Sequence, residues 1–183
     1  MKIIYRGESS FVFSNKKNII AFNPFAPTDA NIVLLGQSGL DKGFSNTKVF
    51  SWPGEYEVSG VPIIAIKIPF SDNVIYKFAL DEINVAVLDG LTDILPDDIL
   101  EKIGDVDVLL IHIESMEAAN KIHDVVEDID PRVIIPFGYN EVDLAKSAKE
   151  FGCQAEELDS IELMRSTLPV EKERLIVLKK ALS

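Results

Sequence analysis

Cysteine and histidine are almost missing from this chain. One Cys, Cys153, and two His, His112 and His123, occur in 183 residues. A lone cysteine cannot close an internal disulfide, and one Cys with two His cannot build a structural zinc site. Long apolar runs are missing too. None approaches the ~20 residues that a membrane-spanning helix takes. The opening Met1-Lys2-Ile3-Ile4-Tyr5-Arg6 alternates and turns polar at once, unlike a signal peptide. The expectation is a cytoplasmic chain with no membrane partner. Positive charge is scarce: 18 Lys and Arg stand against 30 Asp and Glu, a formal net charge of −12. That average field repels a phosphate backbone, which argues against nucleic acid as a partner. The acidic residues are dispersed (Asp81-Glu82, Asp97-Asp98, Asp124 to Asp130, Glu156-Glu157) and read as solvated faces. The G-x-S-x-G elbow of serine hydrolases is also missing. Ser9, Ser10 and Ser38 have no histidine near them in sequence.

What is present is a β-rich first half. Ile3 to Arg6, Phe11 to Phe13 and Asn18 to Phe22 are short aromatic and branched runs separated by turn residues. Asn23-Pro24 ends the third run, because proline breaks a ladder. Ile32 to Leu35, Lys48 to Ser51, Val61 to Ile66, Val74 to Phe78 and Ile83 to Leu88 read as further strands. Trp52 to Gly60 between two of them reads as a structural turn, with Gly54 and Gly60 enabling the bends. A short helix is expected over Pro96 to Ile103, with Asp97 and Asp98 at its N-terminus and Gly104 as its stop. Val106 to Ile113 then reads as a strand buried on both faces. Met116 to Ile129 carries an apolar stripe at helical spacing. Arg132 to Pro136 is a strand, Glu141 to Phe151 a helix, Gln154 to Leu158 and Leu175 to Leu178 strands. No linker or short repeat interrupts residues 1–183, so one domain is expected. Two mixed sheets packed face to face, with helices outside, accommodate this order.

The chain is organised around Ile32-Val33-Leu34-Leu35-Gly36-Gln37-Ser38-Gly39-Leu40-Asp41-Lys42. A buried strand feeding a polar turn delivers side chains to a sheet edge, where α/β proteins place their chemistry. With its surroundings this stretch resembles the metallo-β-lactamase-fold hydrolases, in their branch of small bacterial or archaeal Zn-dependent members. Gly7-Glu8-Ser9-Ser10-Phe11 is similar to the family's Gly-His-Ser-Cys-Phe turn, and Phe22-Asn23-Pro24-Phe25 to its Ile-Asp-Pro-Phe. Leu34 to Lys42 corresponds to the strand that runs into H-x-H-x-D-H. Pro53-Gly54-Glu55-Tyr56-Glu57-Val58 resembles that branch's Pro-Gly-Glu-Tyr-Glu-Val. Leu88-Asp89-Gly90-Leu91 stands for Leu-Gly-Asp-Leu, and Ile135-Pro136-Phe137-Gly138-Tyr139 for Ile-Pro-Met-His-Tyr. The resemblance runs nearly end to end. It implies an α+β fold: the metallo-β-lactamase αβ/βα four-layer sandwich, two mixed β-sheets flanked by helices.

In the family those histidines and the aspartate hold one or two zinc ions. Matched onto this sequence, the three His of the turn become Gln37, Gly39 and Lys42, and only Asp41 is retained. The Gly-Asp pair is inverted to Asp89-Gly90, and the last His is Gly138. Glu8 stands for the opening His, and Asn23 for the Asp before Pro24. Glycine offers no donor, and an amide oxygen is a poor zinc ligand. An ammonium at 42 sits where a dication would, at a cost on the order of several kcal/mol. Lys42 has two readings: a replacement for the zinc charge, paired with Asp41 or Asp89, or one of the charges of a solvated turn. Asp41 and Asp89 alone offer two carboxylates, enough for weak Mg2+ or Ca2+ binding with water completing the shell. His112 ends a buried strand near the cleft edge, where a capping or core role is favoured over catalysis. His123 reads as solvated and Cys153 as a small apolar packing residue.

Three functions remain open on this reading. One is a metal-free pseudo-hydrolase, with no intact catalytic residues and no cofactor, that binds a protein partner or small ligand through a vestigial cleft of Glu8, Asn23, Gln37, Gly39, Asp41, Lys42, Asp89, His112 and Gly138. A second is a hydrolase that is metal-free or uses unusual metal ligands. A third is a structural subunit in an oligomer with an active paralogue. Homo-oligomerisation is open in all three.

Overall fold

A computed structural model describes residues 1–39, 44, 47–69, 71–113, 116–138, 155–170 and 174–181, with the backbone alone for 116–121 and 174. The chain alternates strand and turn through its first half. In order come β1 (Lys2–Gly7), β2 (Ser10–Ser14), β3 (Ile19–Phe22), β4 (Ile32–Leu34), β5 (Lys48–Phe50), β6 (Gly54–Val58), β7 (Val61–Lys67), β8 (Val74–Leu80) and β9 (Ile83–Leu88). Then follow α1 (Asp97–Ile103), β10 (Val108–His112), α2 (Met116–Ile129), β11 (Val133–Phe137), β12 (Ala155–Leu158), β13 (Ile161–Glu162), a 3-10 turn (Arg165–Thr167) and β14 (Arg174–Leu178).

Two mixed sheets result, as the patterning predicts. One has the order β13-β1-β2-β3-β4-β5, the other β12-β14-β11-β10-β9-β8-β7-β6. Tight turns set the antiparallel parts. Ser59-Gly60 joins β6 to β7 and Asp81-Glu82 joins β8 to β9, with all four residues at positive φ. That is the signature of hairpin turns whose twist matches the strands. Beyond β9 each neighbour is parallel, and α1 and α2 supply the crossovers from β9 to β10 and from β10 to β11.

The core lies between the sheets. Phe11 meets Phe137 edge-on at 5.1 Å and Phe13 meets Phe78 at 5.0 Å, so rings from one sheet interlock with rings from the other. A second apolar layer packs Ile99 and Ile103 of α1 and Ile122, Val125, Val126 and Ile129 of α2 on the eight-stranded sheet. Both α-helices among the described residues cover that sheet. The outer face of the six-stranded sheet carries Ala21, Val33 and Leu35 under Ala30 and Phe44. No helix among the described residues is long and apolar enough to cross a membrane.

Two expectations change. Residues 54–58, read as part of a turn, form β6, the edge strand of the larger sheet, paired residue for residue with β7. Its neighbouring glycine, Gly60, does make a bend, at φ 78°. The two-residue strand β13 and the 3-10 turn have no counterpart in the sequence reading. The helix expected at 141–151, together with Asp41, Lys42 and Cys153, lies outside the described residues.

Candidate functional site

Five strands end at one edge of the sandwich. Asn23 follows β3, Gly36 and Gln37 follow β4, and Asp89 follows β9. His112 closes β10 and Gly138 follows β11. The carboxyl ends of parallel strands are where such folds place ligands.

A continuous hydrogen-bonded network occupies this edge. Asn23 sits at φ 44°, a left-handed conformation that asparagine tolerates. Its Oδ1 accepts the Gly36 N–H at 2.8 Å, while its Nδ2 donates to Ser9 Oγ and to Asp89 Oδ2, both at 3.1 Å. The other Asp89 oxygen, Oδ1, lies 3.3 Å from His112 Nδ1. The imidazole stacks on Phe137 at 5.2 Å with 15° between the planes. The Asp89 and His112 side chains are 18% and 27% exposed, so the pair is shielded without being sealed. Burial pushes the Asp89 carboxyl above the usual carboxylate range, against the opposing pull of His112 and of hydrogen bonds from Ser9, Asn23 and the Gly90 backbone. With Nδ1 turned to a carboxylate, the imidazole leaves Nε2 for a ligand or a proton.

The glycines of this edge are closely approached by neighbouring side chains. A Cβ at Gly138, which sits at φ 78°, would lie 1.9 Å from His112 Cδ2 and 2.1 Å from its Nε2. Built at Gly90 (φ 71°), it would lie 2.0 Å from Asn73 Nδ2; that same amide donates to Gly90 O at 3.3 Å. At Gly39 (φ 76°) it would meet the indole of Trp52 at 3.3 Å. Gly36 is also tight, with Asn23 Nδ2 at 3.0 Å and Asp89 Oδ2 at 3.3 Å from a built Cβ. The bare Gly36 backbone is what lets the asparagine and the carboxylate meet.

The family model of the β-lactamase superfamily domain matches residues 2–138. The chain belongs to the metallo-β-lactamase superfamily. Among solved structures it is similar to a proposed Zn-dependent hydrolase of this superfamily from Thermotoga maritima, with TM-score 0.81, 23% identity and 97% of each chain covered. A proposed metal-dependent hydrolase from Parabacteroides distasonis matches with TM-score 0.66 and 13% identity, over 97% of this chain and 93% of that one. The metallo-β-lactamase fold protein YhfI from Bacillus subtilis matches with TM-score 0.66 and 8% identity, over 99% and 97%. At these identities the likeness is one of fold. No curated protein matches in sequence.

Superfamily members that hold zinc need three or four N, O or S donors around it. In this network the described side chains provide Asp89 and His112, two such donors. Among the described residues, the one group of three or more His, Asp, Glu or Cys close enough to share an ion is His123, Asp124 and Glu127. It lies on the outer surface of α2, away from the strand ends, and the sequence already marks His123 as solvated. Among the described residues, then, the strand ends bring two such donors together.

Of the residues singled out in the sequence, Asn23, Asp89, His112 and Gly138 come together. His112, for which the sequence favours a capping or core role, belongs to the network. Gln37 is exposed and pairs through its backbone with Asn73. Gly39 underlies Trp52. Glu8 is exposed at φ 51°, and its carbonyl accepts the Tyr5 hydroxyl at 3.0 Å. Sequence reasoning missed Ser9 as a member, since it was weighed only as a nucleophile. It also missed Asn73, which carries no local signal and reaches the cleft only because the chain entering β8 bonds to the turn after β4.

Proposed function

We propose that this chain is a metallo-β-lactamase-fold protein whose cleft has given up zinc and works as a binding module, in a scaffold or regulatory role. One observation carries the reading. At positions 39, 90 and 138, where the family places ligands, there is no side chain, and Trp52, Asn73 and His112 stand in or against the space one would need. A lost ligand with nothing in its place leaves a gap that one substitution restores. Here the neighbours have closed in, which supports a settled arrangement. Exposed apolar residues close in sequence to the network support binding as well. Phe25, two residues past Asn23, is 60% exposed, Ile94, five past Asp89, is 61%, and Trp52, on Gly39, is 63%. Three large apolar side chains left in water within a few residues of the network offer apolar area to a partner.

Metal analysis of the purified chain, expressed with zinc in the medium, tests this. The expected result is no stoichiometric metal and a melting temperature that EDTA leaves unchanged, because no binding energy is withdrawn. One bound zinc per chain, or a drop of several degrees with EDTA, overturns it.

A second reading rests on the Asp89–His112 pair, which has the layout of an oriented general base. On that reading the chain hydrolyses its substrate without metal. Turnover of phosphodiester or lactam test substrates, abolished in His112→Ala, favours it over the binding module.

A further inference from the structure

The end of the sandwich opposite the Asp89 network holds a groove of about 830 Å³. Its size falls within the range of small-molecule sites, roughly 300–1,000 Å³. Three turns meet there: residues 15–18 between β2 and β3, Ser59-Gly60, and Asp81 at the β8–β9 turn, with Glu162 to Met164 forming the remaining wall. Hydrogen bonds lock these walls to one another. Asn15 Nδ2 donates to Asp81 Oδ1 at 2.7 Å and Asn18 Nδ2 to Ser59 O at 3.4 Å. Asn15 Oδ1 accepts the backbone N–H of both Lys17 (2.9 Å) and Asn18 (2.7 Å), which fixes the turn that carries Lys16 and Lys17. The Met1 ammonium is buried between Asp81 Oδ2 at 2.8 Å and Leu163 O at 2.9 Å.

The charge of this groove runs against that of the chain. Lys2, Lys16, Lys17 and the Met1 ammonium line it, opposed by Asp81 and Glu162. The ammonium already neutralises Asp81. Elsewhere Lys67, Lys102 and Lys179 each pair with a carboxylate, and Arg132 and Arg165 share Asp107. No ion pair among the described residues engages Lys2, Lys16 or Lys17. With a net charge of −12, three lysines without a carboxylate partner among the described residues, gathered on one concavity, stand against the average field of the chain. Such a groove concentrates anions that the rest of the surface repels. At its rim Met164, 61% exposed, offers a polarisable contact for an organic body.

We infer that this groove is a binding site for a small phosphorylated molecule, with its phosphates on Lys16 and Lys17 and its organic part toward Met164. The inference is independent of the reading of the Asp89 cleft. Titrating the 15N-labelled full chain with ADP, and in parallel with adenosine, tests it. ADP is expected to move the amides of Lys16, Lys17, Asn18 and Ser59, and adenosine to leave them in place. Lys16→Glu with Lys17→Glu is expected to weaken ADP about tenfold or more, and raising salt to weaken it steeply. Lys16→Gln with Lys17→Gln serves as the milder pair if the charge reversal disturbs folding. The inference is overturned if ADP leaves those amides unmoved at millimolar concentration, if adenosine binds as well as ADP, or if removing the lysine charges does not weaken ADP.

Discussion

At the scale of single residues, Gly138 and His112 are one decision made twice. A side chain at 138 and an imidazole at 112 claim the same volume, so each constrains the other. Gly138→Ala is expected to cost about 2–4 kcal/mol, from the collision together with the left-handed backbone. In a double-mutant cycle with His112→Ala, the two changes should couple by about 1–3 kcal/mol, the collision part of that cost. Urea denaturation of the four proteins measures it, and additivity would contradict the geometry. It also follows that writing histidine back at 138 alone will not rebuild a ligand there. Asp81 provides a second test, this time in pH. The Met1 ammonium hydrogen-bonded to it holds its carboxyl below the usual carboxylate range, with help from Asn15 and against the opposing effect of partial burial. A depressed folded pKa adds stability that is fully present above the unfolded value, about 3.9, and is lost as pH falls through the folded one. Asp81→Asn should therefore be less stable than the parent at neutral pH, and the gap should close in acid. Chemical denaturation at a series of pH values reads this directly. These residue-scale facts were only half legible in the sequence. That donors were absent at 39, 90 and 138 was plain from the letters. What filled the space was not, because Trp52, Asn73 and His112 are remote in sequence from the glycines they lean on.

At the scale of elements, two side chains hold strands in place across long separations. The Tyr76 ring of β8 is fully buried, and its hydroxyl lies 2.9 Å from Leu35 O and 2.8 Å from Phe50 O. It ties the larger sheet to the ends of β4 and β5, just below the turn that forms the cleft. Burial, with the nearby Tyr56, raises its pKa, so the hydroxyl stays protonated and available as a donor. Tyr76→Phe takes the hydroxyl away from Leu35 O beneath the cleft, while Phe50 O keeps the Leu35 N–H at 2.9 Å, and should cost about 1–3 kcal/mol by denaturant titration. Asp107, at the entry to β10, is 4% exposed. Its carboxylate accepts the Asn84 N–H at 2.9 Å and meets Arg132 at 3.4 Å and Arg165 at 2.5 Å. Both arginines reach water, so Asp107→Ala should cost about 1–3 kcal/mol, less than the loss of a sealed ion pair. The strands themselves were readable because their apolar residues repeat with the right period. The edge strand β6 was not, since Glu55 and Glu57 point outward and the flanking glycines read as bends. An edge strand gets its pairing from β7, not from its own hydrophobicity.

At the scale of the whole molecule, the lone tryptophan sits on the cleft rim against Gly39 and is a built-in reporter. An occupant of the cleft should shift or quench its emission, while a ligand in the lysine groove at the far end should leave it unchanged. The two ends of the sandwich can thus be followed separately in one cuvette with amide shifts alongside. Two sheets with a shared aromatic core, crossover helices on the larger sheet and no transmembrane helix among the described residues follow from hydrophobic period, turn residues and run length. Those are local or nearly local quantities, and a chain displays them in its order of letters. The pairing of Asp89 with His112, the amide of Asn23 bridging strands from both sheets, and the gathering of lysines from separate turns are sums over residues tens of positions apart. Their energies depend on distance in space, so they came into being only when the sheets closed on one another.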